Sequence, residues 1–123
     1  MARILVVDDD PDIVDSVRLF LEQDGHEVAS ASNRDDGMGQ VKSFKPDLLI
    51  LDVMMEQPDD GIAMAQELRR QAFTAPILLL TSISKATGST YGKDEEMVPV
   101  DAFQEKPVVP EKLVALVKEL LSK

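Results

Sequence analysis

Short apolar runs alternate along this chain with longer segments in which apolar residues recur every third or fourth position. The runs have the length of strands buried in a sheet, whereas the periodic segments are long enough for amphipathic helices. Predicted strands cover residues 4–7, 27–30, 47–51, 77–80 and 102–105, and predicted helices begin near positions 11, 33, 61 and 110. This alternation predicts a doubly wound α/β fold, a parallel sheet with helices on both faces joined by right-handed crossovers.

Local signals place the starts of the first two helices. Asp10 stands directly before a proline, where its carboxylate can cap the first helix. Asn33, followed three residues later by Asp36, has the spacing of a second helix start. That second helix is intrinsically weak, because Gly37 and Gly39 have low helix propensity.

Two of the apolar runs end in carboxylates. The first run continues into Asp8, Asp9 and Asp10, and the third continues into Asp52. If the two strands are neighbours in a parallel sheet, their carboxyl ends lie side by side and the acids converge at one edge. Converging carboxylates repel one another unless a cation holds them, and Mg²⁺ suits a site that combines carboxylates, waters and phosphate oxygens. For Asp10 the simpler interpretation is a helix cap.

Composition narrows the class of protein. The chain has 123 residues, a net charge of −10 and no cysteine, which fits one domain without disulfides or thiolate metal sites. Its acidity argues against direct nucleic-acid binding and against anionic membrane surfaces, since both require clustered Lys and Arg. With neither a signal-peptide core nor a run of transmembrane length, we expect a cytoplasmic location.

Two further residues at strand ends could assist a carboxylate that accepts a phosphoryl group. Asp52 could be a metal ligand, a nucleophile or both, because a carboxylate forms an acyl phosphate when nearby cations neutralise the developing charge. Lys106 would supply an ammonium group, although a single Lys is usually a solvated surface residue. Thr81 has the alternative interpretation of an ordinary strand-end hydroxyl.

Taken together, these residues resemble the receiver domain of two-component response regulators. The resemblance covers nearly the whole chain and rests on four motifs in order: Val7-Asp8-Asp9, Leu51-Asp52-Val53-Met54-Met55, Leu80-Thr81-Ser82 and Glu105-Lys106-Pro107. It implies a flavodoxin-like strand order, 2-1-3-4-5.

The resemblance also implies a role for each acidic position. Asp52 would be the phosphoacceptor. Asp9 and Asp52 would bind Mg²⁺ directly, the backbone carbonyl of Met54 would be a third ligand, and Asp8 would act mainly through water.

Four positions near the other strand ends acquire roles in the same way. Lys106 and Thr81 would contact the phosphoryl oxygens after modification, biasing a pre-existing equilibrium between two conformations. Phe103 matches the aromatic switch position of the family, with core packing as the alternative. Pro107 matches the place of a cis peptide bond.

Two stretches depart from the family pattern. The loop after Asp52 is predicted to be one residue longer and more acidic, with Glu56, Asp59 and Asp60, which we interpret chiefly as solvated charges. Between residues 84 and 99, where the family has its fourth helix, no helical apolar period is present, so we predict a short, displaced or mobile helix there.

The leading hypothesis is therefore a single receiver domain, residues 1–123, without an output domain. It would catalyse only its own phosphotransfer and dephosphorylation and otherwise would not be an enzyme. Its expected partners are a histidine kinase or histidine phosphotransfer protein, a downstream protein target and, in a phosphorylation-dependent dimer, a second copy. The alternatives are a receiver-like interaction module that is not phosphorylated and a metal-dependent phosphatase with an Asp nucleophile. The phosphatase is disfavoured because such enzymes commonly carry an acid two residues after the nucleophile, where this chain has Met54.

Overall fold

The computed structural model describes residues 2–52, 60–82, 100–106 and 109–122, and at positions 60, 81, 82, 105 and 106 it describes the backbone alone. Within these ranges strands and helices alternate as the apolar pattern predicts. The elements in chain order are β1 (Arg3–Val7), α1 (Pro11–Gln23), β2 (Glu27–Ala31), α2 (Arg34–Phe44), β3 (Leu48–Asp52), α3 (Asp60–Arg70), β4 (Ile77–Ser82), β5 (Ala102–Lys106) and α4 (Pro110–Leu121).

The five strands form one parallel sheet in the order β2-β1-β3-β4-β5. This confirms the doubly wound fold and its predicted strand order. The strand β3 lies at the centre, and all five of its residues are buried. Its burial explains the unbroken apolar run, because a parallel strand covered on both faces has no solvent side on which to place polar residues.

Two separate apolar cores lie on the two faces of the sheet. On one face, alternate strand residues such as Leu5 and Leu49 pack against Met64 and Leu68 of α3, with Met38 of α2 at the margin. On the other face, the intervening strand residues pack against α1 and α4: Ile4, Val6, Leu48, Ile50, Leu78, Leu80, Val17, Leu21, Leu113 and Val117. Helices therefore cover both faces of the sheet, as predicted.

The predicted helix starts are present. A carboxylate oxygen of Asp10 accepts a hydrogen bond from the backbone N–H of Asp12 at 3.0 Å, and the side-chain oxygen of Asn33 accepts one from Asp36 N–H at 2.8 Å. These bonds satisfy N–H groups that the first helical turn leaves without an intrahelical acceptor.

The presence of glycine at position 37, in spite of its low helix propensity, has a packing reason that the sequence did not reveal. A Cβ atom built at this position would lie 3.0 Å from Met64 Cε, 3.0 Å from Val7 Cγ2 and 3.1 Å from Val7 Cγ1. At Gly39 a Cβ would meet nothing within 4 Å. The helix α2 thus approaches β1 closely at Gly37, and of the two glycines in α2 only Gly37 lies where a side chain would meet its neighbours.

Some predictions fall outside the described residues. They concern the acidic loop at Glu56 and Asp59 and the irregular helix between positions 84 and 99. Among the helices that the structure does describe, none is both long enough and apolar enough to cross a bilayer.

Candidate functional site

The candidate site lies where β1 and β3 end together. In the sheet Val7 is the register partner of Leu51, so the next residues, Asp8 and Asp52, stand side by side at the carboxyl edge. The backbone N–H of Asp8 donates to Ala31 O at 3.1 Å, which extends the pairing with β2 past the end of β1. The carboxylates that follow the two apolar runs therefore converge at one edge of the sheet, as predicted.

Asp8, Asp9 and Asp52 form one acidic cluster. One carboxylate oxygen from each lies within 4.8 Å of the other two. Asp8 is 1% exposed and Asp52 is 6% exposed, whereas Asp9 faces solvent. At this separation two full negative charges repel by about 3 kcal/mol for an effective dielectric constant of about 20. A divalent cation bound between these carboxylates would offset this repulsion.

The turn between β1 and α1 is held by its own carboxylates. Asp8 Oδ1 accepts a hydrogen bond from the backbone N–H of Asp10 at 2.9 Å, and Asp10 in turn caps α1. Asp10 therefore caps α1, as predicted, whereas Asp8, Asp9 and Asp52 make up the cluster.

The chemistry of the cluster restricts the cation that would fit it. All three side chains offer oxygen atoms, which hard divalent ions such as Mg²⁺ prefer, whereas zinc and copper sites usually include nitrogen or sulfur ligands. Three carboxylates leave coordination positions for water and for a phosphoryl oxygen, as Mg²⁺ sites normally do.

The other predicted residues lie on the neighbouring strands or outside the described part of the chain. Thr81 is one residue before the end of β4, and Lys106 is the last residue of β5, with Ser82 as its register partner. Their backbones thus lie towards the same carboxyl edge as the acidic cluster. Met54 and Pro107 lie outside the described residues.

Phe103 is partly buried and packs against the core that contains Leu79, its register partner on β4. This contact supports the core-packing interpretation and leaves the switch interpretation untested.

A cavity of about 400 Å³ opens beside the acidic cluster. Asp8 and Asp9 line it together with Asp15 of α1 and Asp36 of α2. Sequence reasoning named Asp36 only as part of a helix start and did not name Asp15, because each belongs to a helix and only the fold places the two beside β1. Their charges make the approach to the cluster still more negative.

A larger cavity, of about 610 Å³, lies at the opposite, amino edge of the sheet. Several of its polar groups have partners: His26 Nδ1 accepts a hydrogen bond from Ala2 N–H at 3.1 Å, and Lys118 Nζ lies 3.6 Å from Oδ1 of the nearby Asp24. No acidic cluster that could hold a cation is present there among the residues that the structure describes. The carboxyl edge is therefore the better candidate.

Known proteins resemble this chain over nearly its whole length. The chain is 35% identical over 119 residues to the alkaline phosphatase synthesis transcriptional regulatory protein PhoP of Bacillus subtilis, covering 97% of this chain and 48% of PhoP. It is 31% identical over 124 residues to protein PilH of Pseudomonas aeruginosa, covering 99% of each. The chain thus spans about half the length of PhoP and nearly all of PilH.

Solved structures agree. A response regulator from Chloroflexus aurantiacus matches with a TM-score of 0.87 and 30% identity over 99% of this chain and 98% of that one. The receiver domain of NtrX from Brucella abortus matches with a TM-score of 0.86 and 27% identity, covering 98% of each. A family profile, that of the response regulator receiver domain, matches residues 4–118. With the acidic cluster at the carboxyl edge of a 2-1-3-4-5 sheet, this chain belongs to the receiver domain family of two-component response regulators.

Proposed function

We propose that the chain is a phosphoacceptor receiver in which Asp52 takes a phosphoryl group from a histidine kinase or a histidine phosphotransfer protein. The observation that carries the proposal is the position of Asp52, which is 6% exposed at the end of the central strand with Asp8 and Asp9 beside it. A buried carboxylate within a cluster that favours a hard cation is suited to phosphoryl transfer.

Asp52 is a better nucleophile candidate than its two neighbours. It belongs to β3, which is hydrogen-bonded to β1 on one side and β4 on the other, so the position of its backbone is well fixed. Fixed placement of the attacking atom lowers the entropic part of the barrier. Asp8 already uses Oδ1 to hold the β1–α1 turn, and Asp9 is exposed.

The proposed cofactor is Mg²⁺, held by Asp9 and Asp52 with Asp8 acting through water. When bound it supplies positive charge to the phosphoryl oxygens. In the reaction an oxygen of Asp52 attacks phosphorus while the bond from phosphorus to the partner's imidazole nitrogen breaks. The bonding electron pair returns to the imidazole, and Asp52 becomes an acyl phosphate.

The acyl phosphate brings new negative charge to the carboxyl edge of the sheet. Lys106 and Thr81 are the groups proposed to respond, since β4 and β5 carry both residues to that edge. Their contacts would shift the equilibrium between two conformations and so alter binding to a downstream protein. The chain would act on no metabolite, and its only catalysis would be its own phosphotransfer and dephosphorylation.

Intact mass after incubation with acetyl phosphate and Mg²⁺ tests the proposal. We expect a gain of about 80 Da, one phosphoryl group, in the wild type. Asp52→Asn should show no gain. Asp10→Asn is the matched control: it removes a carboxylate from the same region but retains a good helix cap, so it should be phosphorylated like the wild type.

Two outcomes would contradict the proposal. A folded wild type that binds Mg²⁺ but gains no mass would indicate a receiver-like interaction module. A gain that persists in Asp52→Asn would place the acceptor at another residue.

A further inference from the structure

One arginine joins three parts of the chain at the amino edge of the sheet. The side chain of Arg69, in the last turn of α3, donates from Nη1 to the carbonyl oxygens of Phe73 at 2.7 Å and Ala75 at 2.9 Å. From Nη2 it donates to Asp101 Oδ2 at 2.9 Å. The planar guanidinium thus links the end of α3, the loop before β4 and the residue before β5.

Asp101 is bound to the first residue of β4 through both its backbone and its side chain. Its N–H donates to Ile77 O at 2.9 Å, and the Oδ2 atom that Arg69 contacts also accepts from Ile77 N–H at 2.8 Å. Asp101 thus engages both backbone groups of Ile77, one residue before Leu78 and Ala102, the first register pair of β4 and β5.

Burial alone specifies the register of β5 less strongly than that of the central strands. The strand β5 lies at the edge of the sheet and pairs with β4 alone, and its first three residues are only partly buried. Burial specifies strand register strongly when one face is fully covered and weakly when it is not. A slip of one residue would turn every side chain of β5 to the opposite face.

We propose that Arg69 and Asp101 are a positioning pair that fixes the β4–β5 register and thereby sets where Lys106 stands at the carboxyl edge. The pair acts from about 16 Å away, the length of five residues of strand. The inference rests on the proposed function, since the register matters for activity only if Lys106 assists phosphorylation at Asp52.

The neighbouring arginine provides a matched control. Arg70 follows Arg69 in α3 but pairs with Glu67 on the same helix, and its side chain is 67% exposed. Arg69→Gln and Arg70→Gln therefore remove the same charge from adjacent positions, and only the first breaks the link to β5.

The test measures Mg²⁺ affinity by calorimetry, the rate of phosphorylation by acetyl phosphate, and cross-strand contacts between Leu79 and Phe103 by NMR. Arg69→Gln should weaken the NMR contacts and slow phosphorylation by about tenfold or more, since small misplacements of an assisting group are costly. Its Mg²⁺ affinity should stay within twofold, because the acidic cluster is built on β1 and β3.

Two conservative variants distinguish loss of the ion pair from general misfolding. Asp101→Asn keeps an acceptor for Ile77 N–H but loses the ion pair, and Arg69→Lys keeps the charge but not the fork of donors. Both should show intermediate rates.

The inference is overturned if Arg69→Gln slows phosphorylation no more than Arg70→Gln does, or if Mg²⁺ affinity falls in parallel with the rate. A wild type that takes no phosphoryl group would refute the proposed function instead. In that case the NMR contacts alone decide: their loss in Arg69→Gln supports the positioning pair, and their retention overturns it.

Discussion

Replacing Gly37 by alanine should leave the protein no more stable than the wild type, although alanine is the better helix former. The substitution adds one methyl group at the point where α2 approaches β1. In the structure that methyl would lie 3.0 Å from Met64 Cε and 3.0 and 3.1 Å from the two methyl carbons of Val7.

The magnitude follows from two opposing effects. Alanine in a helix interior gains about 0.5–1 kcal/mol over glycine. Met64 can move its terminal methyl, but Val7 is fully buried and stiff at χ1, and rotation that relieves one of its methyls engages the other. Overpacking of this kind costs about 1–3 kcal/mol.

Gly39→Ala supplies the reference, because the added methyl has open space around it and the gain in helix propensity is unopposed. Urea unfolding should therefore separate the two variants by about 1–3 kcal/mol, with Gly39→Ala more stable than the wild type and Gly37→Ala less stable or equal. For a slope of about 2 kcal/mol per molar urea, this separation is a midpoint difference of about 0.5–1.5 M.

A double-mutant cycle with Val7→Ala identifies the contact responsible. The cost of Gly37→Ala should shrink when Val7 is already shortened, since the two residues then no longer compete for the same volume. If instead Gly37→Ala stabilises the protein as much as Gly39→Ala, the close approach of α2 to β1 does not limit the side chain, and the packing argument is wrong.

Three other predictions concern the cap of α2, the acidic cluster and an exposed ion pair. Asn33→Ala should lower the free energy of unfolding by about 1 kcal/mol, and Asn33→Asp should preserve it, as measured by urea unfolding. Without Mg²⁺, Asp9→Asn should raise thermal stability, because it relieves repulsion among the carboxylates. Mg²⁺ at tenfold excess over its Kd should stabilise the wild type by about 1.4 kcal/mol, and Asp9→Asn should lose most of this stabilisation. Equal Mg²⁺ stabilisation in both proteins would exclude Asp9 as a ligand. The side-chain hydrogen bond from Arg70 holds the pKa of Glu67 below its ordinary value of 4.5. The contribution of this hydrogen bond to stability is therefore present above pH 4.5 and is lost as the pH falls through the lowered pKa. An NMR titration should show this pKa rising in Arg70→Gln, and no change would contradict the assignment.

Much of the fold could be predicted because its signals are local. The run over Leu48, Leu49, Ile50 and Leu51 indicated a strand buried on both faces, and the caps at Asp10 and Asn33 have short-range hydrogen bonds as their cause. The acidic cluster could also be predicted, because parallel strands bring their carboxyl ends to one edge. The roles of its members in phosphorylation stay predictions.

Other features depend on contacts between residues far apart in the chain. Gly37 signalled only a weak helix, since its close approach to Val7 exists only after α2 has packed on the sheet. The bond from Arg69 to Asp101 spans 32 residues, and no period or motif marks an arginine in the last turn of a helix as the partner of a later strand. Long-range pairs of this kind need the fold before they can be recognised.

The sheet also gives the protein two interiors rather than one. Along β1, Leu5 and Val6 are adjacent in sequence, but Leu5 packs with Leu49 and Ile77 on one face whereas Val6 packs with α1 and α4 on the other. The sheet backbone separates the two interiors, so a substitution in one interior is compensated by changes in that same interior. In the evolution of such a chain, consecutive strand positions should therefore vary independently, while residues more than forty positions apart change together.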